Sequence, residues 1–300
     1  METSRRTFLK QSSLFTVATS ILPIQACLPK GRSIRFGVAT DSHYAERAPL
    51  GTRYYRQSLE KMMEFVDVMN HEKVDFVIHL GDFKDEGLEQ KEADTLRFLK
   101  SIEAVYTVFQ GPRFHCVGNH DVDSITKGQF LAHITNTGIA QDKSYYSFDK
   151  NGFHFIVLDA NHHKDGSSHF FKEGSDWQDT NLGQPQMEWL LNDIKDTYLP
   201  TLVFCHHPLF EYRREGHKYH TNDFREVQRI LETSDRTLAV FQGHVHHESH
   251  KQINGIHYLT QFGMVDYNGL RNNSFSIVEI HGNALEIHGY KRTTSQSFKI

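Results

Sequence analysis

Five apolar runs in this chain each stop at side chains able to bind a metal ion or move a proton. Residues 33–40 (SIRFGVAT) end at Asp41-Ser42-His43, 74–80 (VDFVIHL) at Gly81-Asp82, and 113–117 (RFHCV) at Gly118-Asn119-His120-Asp121. Further on, 201–205 (TLVFC) end at His206-His207-Pro208, and 237–242 (TLAVFQ) at Gly243-His244-Val245-His246-His247. Short runs of this kind, rich in Val, Ile and Phe, read as buried strands. After the first of them, Tyr55, Leu59, Met62, Val66 and Met69 recur at spacings of four and three, the stripe of an amphipathic helix, and a second helical pattern spans about 89–108. The resulting β-α-β-α-β order predicts an open α/β sheet, which forms its sites at strand C-termini.

Downstream, residues 144–148 and 153–159 read as a hairpin about Lys150-Asn151-Gly152. A polar stretch over 160–183 precedes helical patterns at 185–196 and 223–231, and the tail from 250 alternates like antiparallel strands with turns at Asn254-Gly255 and Gly282-Asn283. The fold class expected is α/β: a four-layer α-β-β-α sandwich with two face-to-face mixed sheets and helices outside, in a single domain over 33–292.

The strand ends supply Asp41, His43, Asp82, Asn119, His120, His206, His244 and His246. Carboxylate, imidazole and amide oxygen with almost no thiolate suit a borderline or hard divalent ion such as Mn, Fe or Zn. The set is larger than one tetrahedral ion uses, which argues for two, about 3.5–4 Å apart, clamping a phosphoryl displacement. In an extended segment, residues two apart point the same way, so Asp41/His43 and His244/His246 can each reach one site, and His207 and His247 fall on the other side. Gly81, Gly118 and Gly243 let the backbone come close. Cys116 and Cys205 lie inside apolar runs and read as small buried hydrophobes, and a total of 3 cysteines sets up no disulfide framework.

Charge disfavours one class of partner. Lys+Arg 33 against Asp+Glu 37 gives a net charge of −4, without the basic field that nucleic acid requires.

Taken in order, these five blocks resemble the calcineurin-like metallophosphoesterase superfamily. The resemblance implies that Asp41, His43 and His246 hold one metal, Asn119, His206 and His244 the other, and that Asp82 bridges them. It implies His120 as general acid or transition-state stabiliser, Asp121 positioning its ring, and a metal-bridging hydroxide as nucleophile. The stretch RFGVATDSHYA at 35–45, with RYYRQSL at 53–59, is similar to the manganese-dependent ADP-ribose/CDP-alcohol diphosphatase branch. That similarity implies a small phosphorylated substrate, a nucleoside-diphosphate-linked alcohol or sugar cut at its phosphoanhydride. An exported phosphomonoesterase or phosphodiesterase that scavenges phosphorus is the alternative, and a non-enzymatic metal-binding scaffold a more distant one. His162, His163, His169, Trp177, Arg213, Arg214, His217 and Lys218 sit on segments expected to rim the pocket.

The N-terminus, Ser4-Arg5-Arg6-Thr7-Phe8-Leu9-Lys10 before an apolar run, resembles a twin-arginine export signal. Cys27 after Ile24-Gln25-Ala26 resembles a lipobox. Together they predict a signal over 1–27, passage through the twin-arginine machinery, and a periplasmic or lipid-anchored protein.

Overall fold

Two sheets form because the strands alternate between two apolar faces. In the computed structural model, which describes residues 31–170 and 176–300, the first sheet holds β1 (Ser33–Ala39), β2 (Phe76–His79), β3 (Arg113–His115), β12 (Ser274–His281), β13 (Ala284–Lys291) and β14 (Gln296–Lys299). The second holds β4 (Tyr146–Lys150), β5 (Phe153–Leu158), β6 (Thr201–Cys205), β9 (Thr237–Gln242), β10 (Ser249–Ile253) and β11 (Ile256–Thr260). Their orders are β14-β13-β12-β1-β2-β3 and β10-β11-β9-β6-β5-β4. Both are mixed: β1, β2 and β3 run parallel beside antiparallel β12 to β14, and β5, β6, β9 and β11 run parallel between antiparallel β4 and β10. The tail is therefore not purely antiparallel, because β11 adds in parallel to β9. The first sheet also extends beyond residue 292, where the sequence pattern ended the domain, through β14.

Ile34, Phe36 and Val38 of β1 meet Phe155, Phe204 and Phe241 of the opposite sheet in one buried cluster. Phe36 stacks on Phe76 at 4.8 Å and stands edge-on to Phe155, Phe204 and Phe241 at 5.7–5.9 Å. Such ring pairs each add about 0.5–1.5 kcal/mol beyond burial. The intervening residues face outward to helices. Ala39 and Val77 pack in the cluster with α1 (Ser58–Glu72) and α2 (Glu92–Tyr106), and Ile156, Val203 and Val240 in that with α4 (Gln184–Asp196) and α5 (Phe224–Leu231). This is the four-layer sandwich expected. A short α3 (Lys127–Leu131) and a two-stranded ribbon, β7 (Arg213–Arg214) with β8 (His217–Lys218), are additions the sequence pattern missed.

The export signal and Cys27 lie outside the described residues. Among the described residues, no helix is long and apolar enough to cross a membrane.

One buried histidine ties the β4–β5 hairpin to α4. His154 Nδ1 lies 2.6 Å from Asp149 Oδ1 and Nε2 lies 2.8 Å from Asp193 Oδ2. Burial opposes its charge, but the two carboxylates outweigh that and raise its pKa. A folded-state pKa above the unfolded one means that the stabilisation is fully present below about pH 6.5 and fades as pH rises through the folded value. His154→Gln should therefore lower Tm most near pH 6, with the gap to wild type narrowing as pH rises above about 6.5 in thermal melts.

Candidate metal centre and substrate cleft

The side chains at the strand ends are aimed by kinks rather than by strand alternation. Asp41, His43, Asp82, His244 and His246 have φ of 53°, 45°, 53°, 68° and 50°. Left-handed backbone at non-glycine residues costs about 1–3 kcal/mol each and persists only where surroundings hold it. Here Asp41 N–H donates to Gly81 O at 3.0 Å, His43 N–H to Asp82 O at 2.9 Å, and Val265 N–H to Asp41 O at 3.0 Å. His244 N–H donates to both oxygens of Asp41 at 3.1 Å. The expectation that extended backbone presents residues i and i+2 together is thus corrected: through left-handed backbone, Asp41 and His43 join one group, while His244 and His246 go to different groups. A side chain at Gly118 would collide with the backbone and carboxylate of Asp82, and one at Gly243 with Thr40 and Asp41, so both positions admit only glycine.

Asp41, His43 and His246 bring ligand atoms within 4.8 Å of one another, and so do Asp82, His206 and His244. His43 Nε2 and His246 Nε2 stand 3.0 Å apart, with Asp41 Oδ1 3.8 Å and 3.3 Å from them. Asp82 Oδ2 sits between the groups, 3.4 Å from His43 Nε2 and 3.1 Å from His206 Nε2. Asn119, His120 and His244 line the cleft beside Asp82.

The tautomers suit a cation. Nδ1 of His43 faces Asp85 Oδ2 at 3.1 Å, Nδ1 of His246 faces Asp266 Oδ2 at 2.9 Å, and Nδ1 of His206 faces Leu80 O at 2.9 Å. A hydrogen on each Nδ1 leaves Nε2 as a lone pair turned inward. Asn119 Oδ1 and His244 Nε2 are buried and, among the described residues, have no hydrogen-bond partner. Buried acceptors are seldom left so, and these residues fit one or more divalent ions. Without metal, protons take that place. Burial opposes charge on His206, but Asp82 outweighs it and pushes the imidazole up to about 9. Asp41 is pulled well below the carboxylate range, because His246 and His43 outweigh burial.

His120 belongs to neither of these groups, although it clusters with His43 and Asp85 at their edge. Its Nδ1 is 2.5 Å from Asp123 Oδ2, and its ring lies 4.8 Å from that of His43. Burial is overcome by Asp123, Asp85 and Asp82, and the imidazole is pushed up to about 10. Asp121, expected to position this ring, does not reach it. Its Oδ1 accepts from Phe83 N at 2.8 Å and Lys84 N at 3.3 Å, and its Oδ2 from Gly118 N at 2.8 Å. The reason is local: residues 120–122 form a 3-10 turn, which brings residue i+3 over residue i. Asp123, not Asp121, is the ring's partner.

Sequence reasoning also missed Asp85 and Asp266. Asp85 is flanked by Arg47 and Arg53 at 3.8 Å each, so its charge is offset where it holds His43. His207, expected to face away, is buried with its ring 4.4 Å from His244, although it belongs to neither ligand group. His247 lies outside the centre, edge-on to Phe262 at 5.7 Å.

A cleft of about 410 Å³ opens over the centre, lined by Arg53, Gln90, His120, Trp177 and Tyr219 among others. Trp177 and Tyr219 lie 5.4 Å apart, and their rings are 5.7 Å and 5.5 Å from His244. Of the rim residues anticipated, Trp177 alone lines this cleft. Arg214 sits behind Tyr219, its guanidinium 5.4 Å from the ring centre, and His217 is 5.9 Å from Trp177. His162 turns to Lys127 Nζ at 3.1 Å, Arg213 to Glu211 at 3.6 Å, and Lys218 to Asn222. His163 and His169 gather elsewhere, around Asp179.

Comparison with known proteins agrees with this geometry. The manganese-dependent ADP-ribose/CDP-alcohol diphosphatase of Arabidopsis thaliana is 24% identical over 304 residues, spanning 88% of this chain and 96% of its own. The protein of that name from Oryza sativa subsp. japonica is 25% identical over 264 residues, spanning 75% and 81%. A dimetal phosphatase from Danio rerio has the same fold, with a TM-score of 0.75 at 19% identity over 89% of this chain and 99% of its own. Residues 34–248 match the calcineurin-like phosphoesterase family. With that match covering every strand end that carries a member of the two ligand groups, the chain belongs to the calcineurin-like phosphoesterase family and is a metal-dependent phosphoester hydrolase.

Proposed function

We propose that the protein hydrolyses the phosphoanhydride of a nucleoside-diphosphate-linked alcohol or sugar, using two divalent metal ions held by Asp41, His43 and His246 and by Asn119, His206 and His244, with Asp82 between them. The observation that carries this reading is the pair of aromatic rings, Trp177 and Tyr219, beside His244 and facing a cleft that also holds Arg53. Aromatic rings lining a cleft offer a nucleobase a face to stack on, here two rings inclined at 58° to each other, and an arginine suits the phosphate chain. The plant relatives named above support the same substrate class.

The metals would supply Lewis acidity at the phosphoryl oxygens and an activated water. The chain's residues do the rest. Asp85, Asp266 and Leu80 O orient the imidazoles, His120 holds a proton for the leaving oxygen, and Arg53 takes phosphate charge. Export through the twin-arginine machinery, with or without a lipid on Cys27, is part of the proposal and rests on Arg5, Arg6 and the apolar run after them.

The test is hydrolysis by the purified, Mn²⁺-loaded protein of ADP-ribose, CDP-ethanolamine, bis(p-nitrophenyl) phosphate and p-nitrophenyl phosphate. The expected result is the highest kcat/KM on the first two, with nucleoside monophosphate as product. Preference for a nitrophenyl ester would replace this reading with that of a general exported phosphatase or phosphodiesterase.

A further inference from the structure

The loop between β5 and α4 carries a second group of ligand-type side chains that phosphoester hydrolysis does not use. His163, His169 and Asp179 each offer one ligand atom, and these atoms lie within 4.8 Å of one another. His163 Nδ1 stands 3.2 Å from Asp179 Oδ2, and the two imidazole rings are 4.2 Å apart with a 54° tilt. His169 is buried at 1% exposure, whereas the side chains of His163 and Asp179 are 48% and 39% exposed. The group is therefore anchored on one side and open to solvent on the other.

Its supporting contacts are those of a ligating carboxylate. Asp179 Oδ1 accepts from Asn181 Nδ2 at 3.2 Å and from Asn222 Nδ2 at 2.9 Å, which leaves Oδ2 turned to the imidazoles. Outer hydrogen bonds of this sort fix the orientation of metal ligands. The backbone is closed around the group as well: His163 N–H donates to Ser167 O at 2.8 Å, His169 N–H to Asn161 O at 3.0 Å, and Asn222 N–H to Thr180 O at 2.8 Å. Asn222 belongs to the loop between β6 and α5, so the group sits where the two loops that rim the cleft meet.

We propose that His163, His169 and Asp179 form a further divalent-metal site, of the borderline class that Zn²⁺ typifies, which closes the loop between β5 and α4 on itself and, through Asp179 and Asn222, holds it to the loop before α5. Two imidazoles and one carboxylate, with solvent completing a tetrahedral shell, match the ligand preference of zinc. The ion reaches the group from its open side. Its position gives it an effect on the cleft, because Trp177 is two residues from Asp179 and Gln178 Oε1 accepts from Lys218 N at 2.8 Å. Fixing Asp179 fixes the aromatic wall between the loops.

The test is metal content. The full chain is stripped with a chelator, dialysed against Zn²⁺, freed of loose metal by gel filtration, and assayed for zinc per chain by mass spectrometry. His163→Ala and Asp179→Asn are each expected to hold one zinc fewer than wild type. His244→Ala should lose metal from the main centre and keep this one. The two positions are exposed enough for both variants to fold, and refilling with Co²⁺ reads the same step in the visible spectrum. Zinc content equal to wild type in both His163→Ala and Asp179→Asn would overturn the proposal. Hydrolysis enters neither arm, so a wrong substrate assignment would leave this test intact.

Discussion

His120→Ala is expected to lower kcat by about 10²- to 10⁴-fold, the usual contribution of a positioned general acid, while the metal bound per chain stays at the wild-type value. The ring lines the cleft and commits Nδ1 to Asp123 at 2.5 Å, so Nε2 is the nitrogen available to substrate. Asp123 and Asp85 favour the protonated imidazole, which is the form that can donate to a leaving oxygen. What His120 gives to Asp82 comes from its backbone, an N–H donated to Oδ1 at 2.7 Å, and alanine keeps that bond. Steady-state kinetics beside metal analysis decide the matter. Loss of metal in step with loss of turnover would put His120 in the ligand shell. Two neighbours sharpen the contrast: Asp123→Asn should reduce kcat with little change in Tm. Asp121→Asn should lower Tm instead, because Asp121 secures three backbone amides.

Asp82→Asn is expected to do the converse, releasing metal and with it at least about 10³-fold of activity, or about 4 kcal/mol of transition-state stabilisation. Asp82 is the carboxylate within 3.4 Å of an imidazole from each ligand group. An amide there removes a charge that two cations would share, and it turns a donor toward one of them in place of a lone pair. Titration with Mn²⁺, followed by metal content and by rate, measures both effects. Full occupancy with full activity would mean that the two groups hold their ions independently.

How legible this centre was in the sequence depended on how local each cause was. The second-sheet strands β6 and β9 have the bounds their apolar runs predicted, because short Val/Phe/Leu segments between small polar residues leave little choice. The strand ends likewise named all six members of the two ligand groups, though not the carboxylates that hold them. What could not be read was set by contacts between distant segments. Asp266 reaches His246 because Met264 N–H and Val265 N–H donate to Thr40 O and Asp41 O at 2.9 Å and 3.0 Å, pinning a loop after β11 onto the end of β1. The buried Lys61 on α1 reinforces that loop by donating to the carbonyls of Met264, Asp266 and Tyr267. No local pattern announces either. The left-handed kinks were equally hidden, since they fall on Asp and His rather than on glycine. Asp121 misled for the opposite reason: adjacency in sequence suggested a partnership that a 3-10 turn transfers to Asp123.

The two ligand groups draw on both sheets. Asp41, His43 and Asp82 follow strands of the first, and His206, His244 and His246 follow strands of the second. His43 and His246 meet across a separation of 203 residues. Long-range closure of this kind comes late in folding, after local helices and hairpins. A chain still emerging from the ribosome therefore carries Asp41 and Asp82 well before it carries His206, His244 and His246. Neither group is whole until both sheets are in place, so the centre is a property of the finished fold and not of any segment of it.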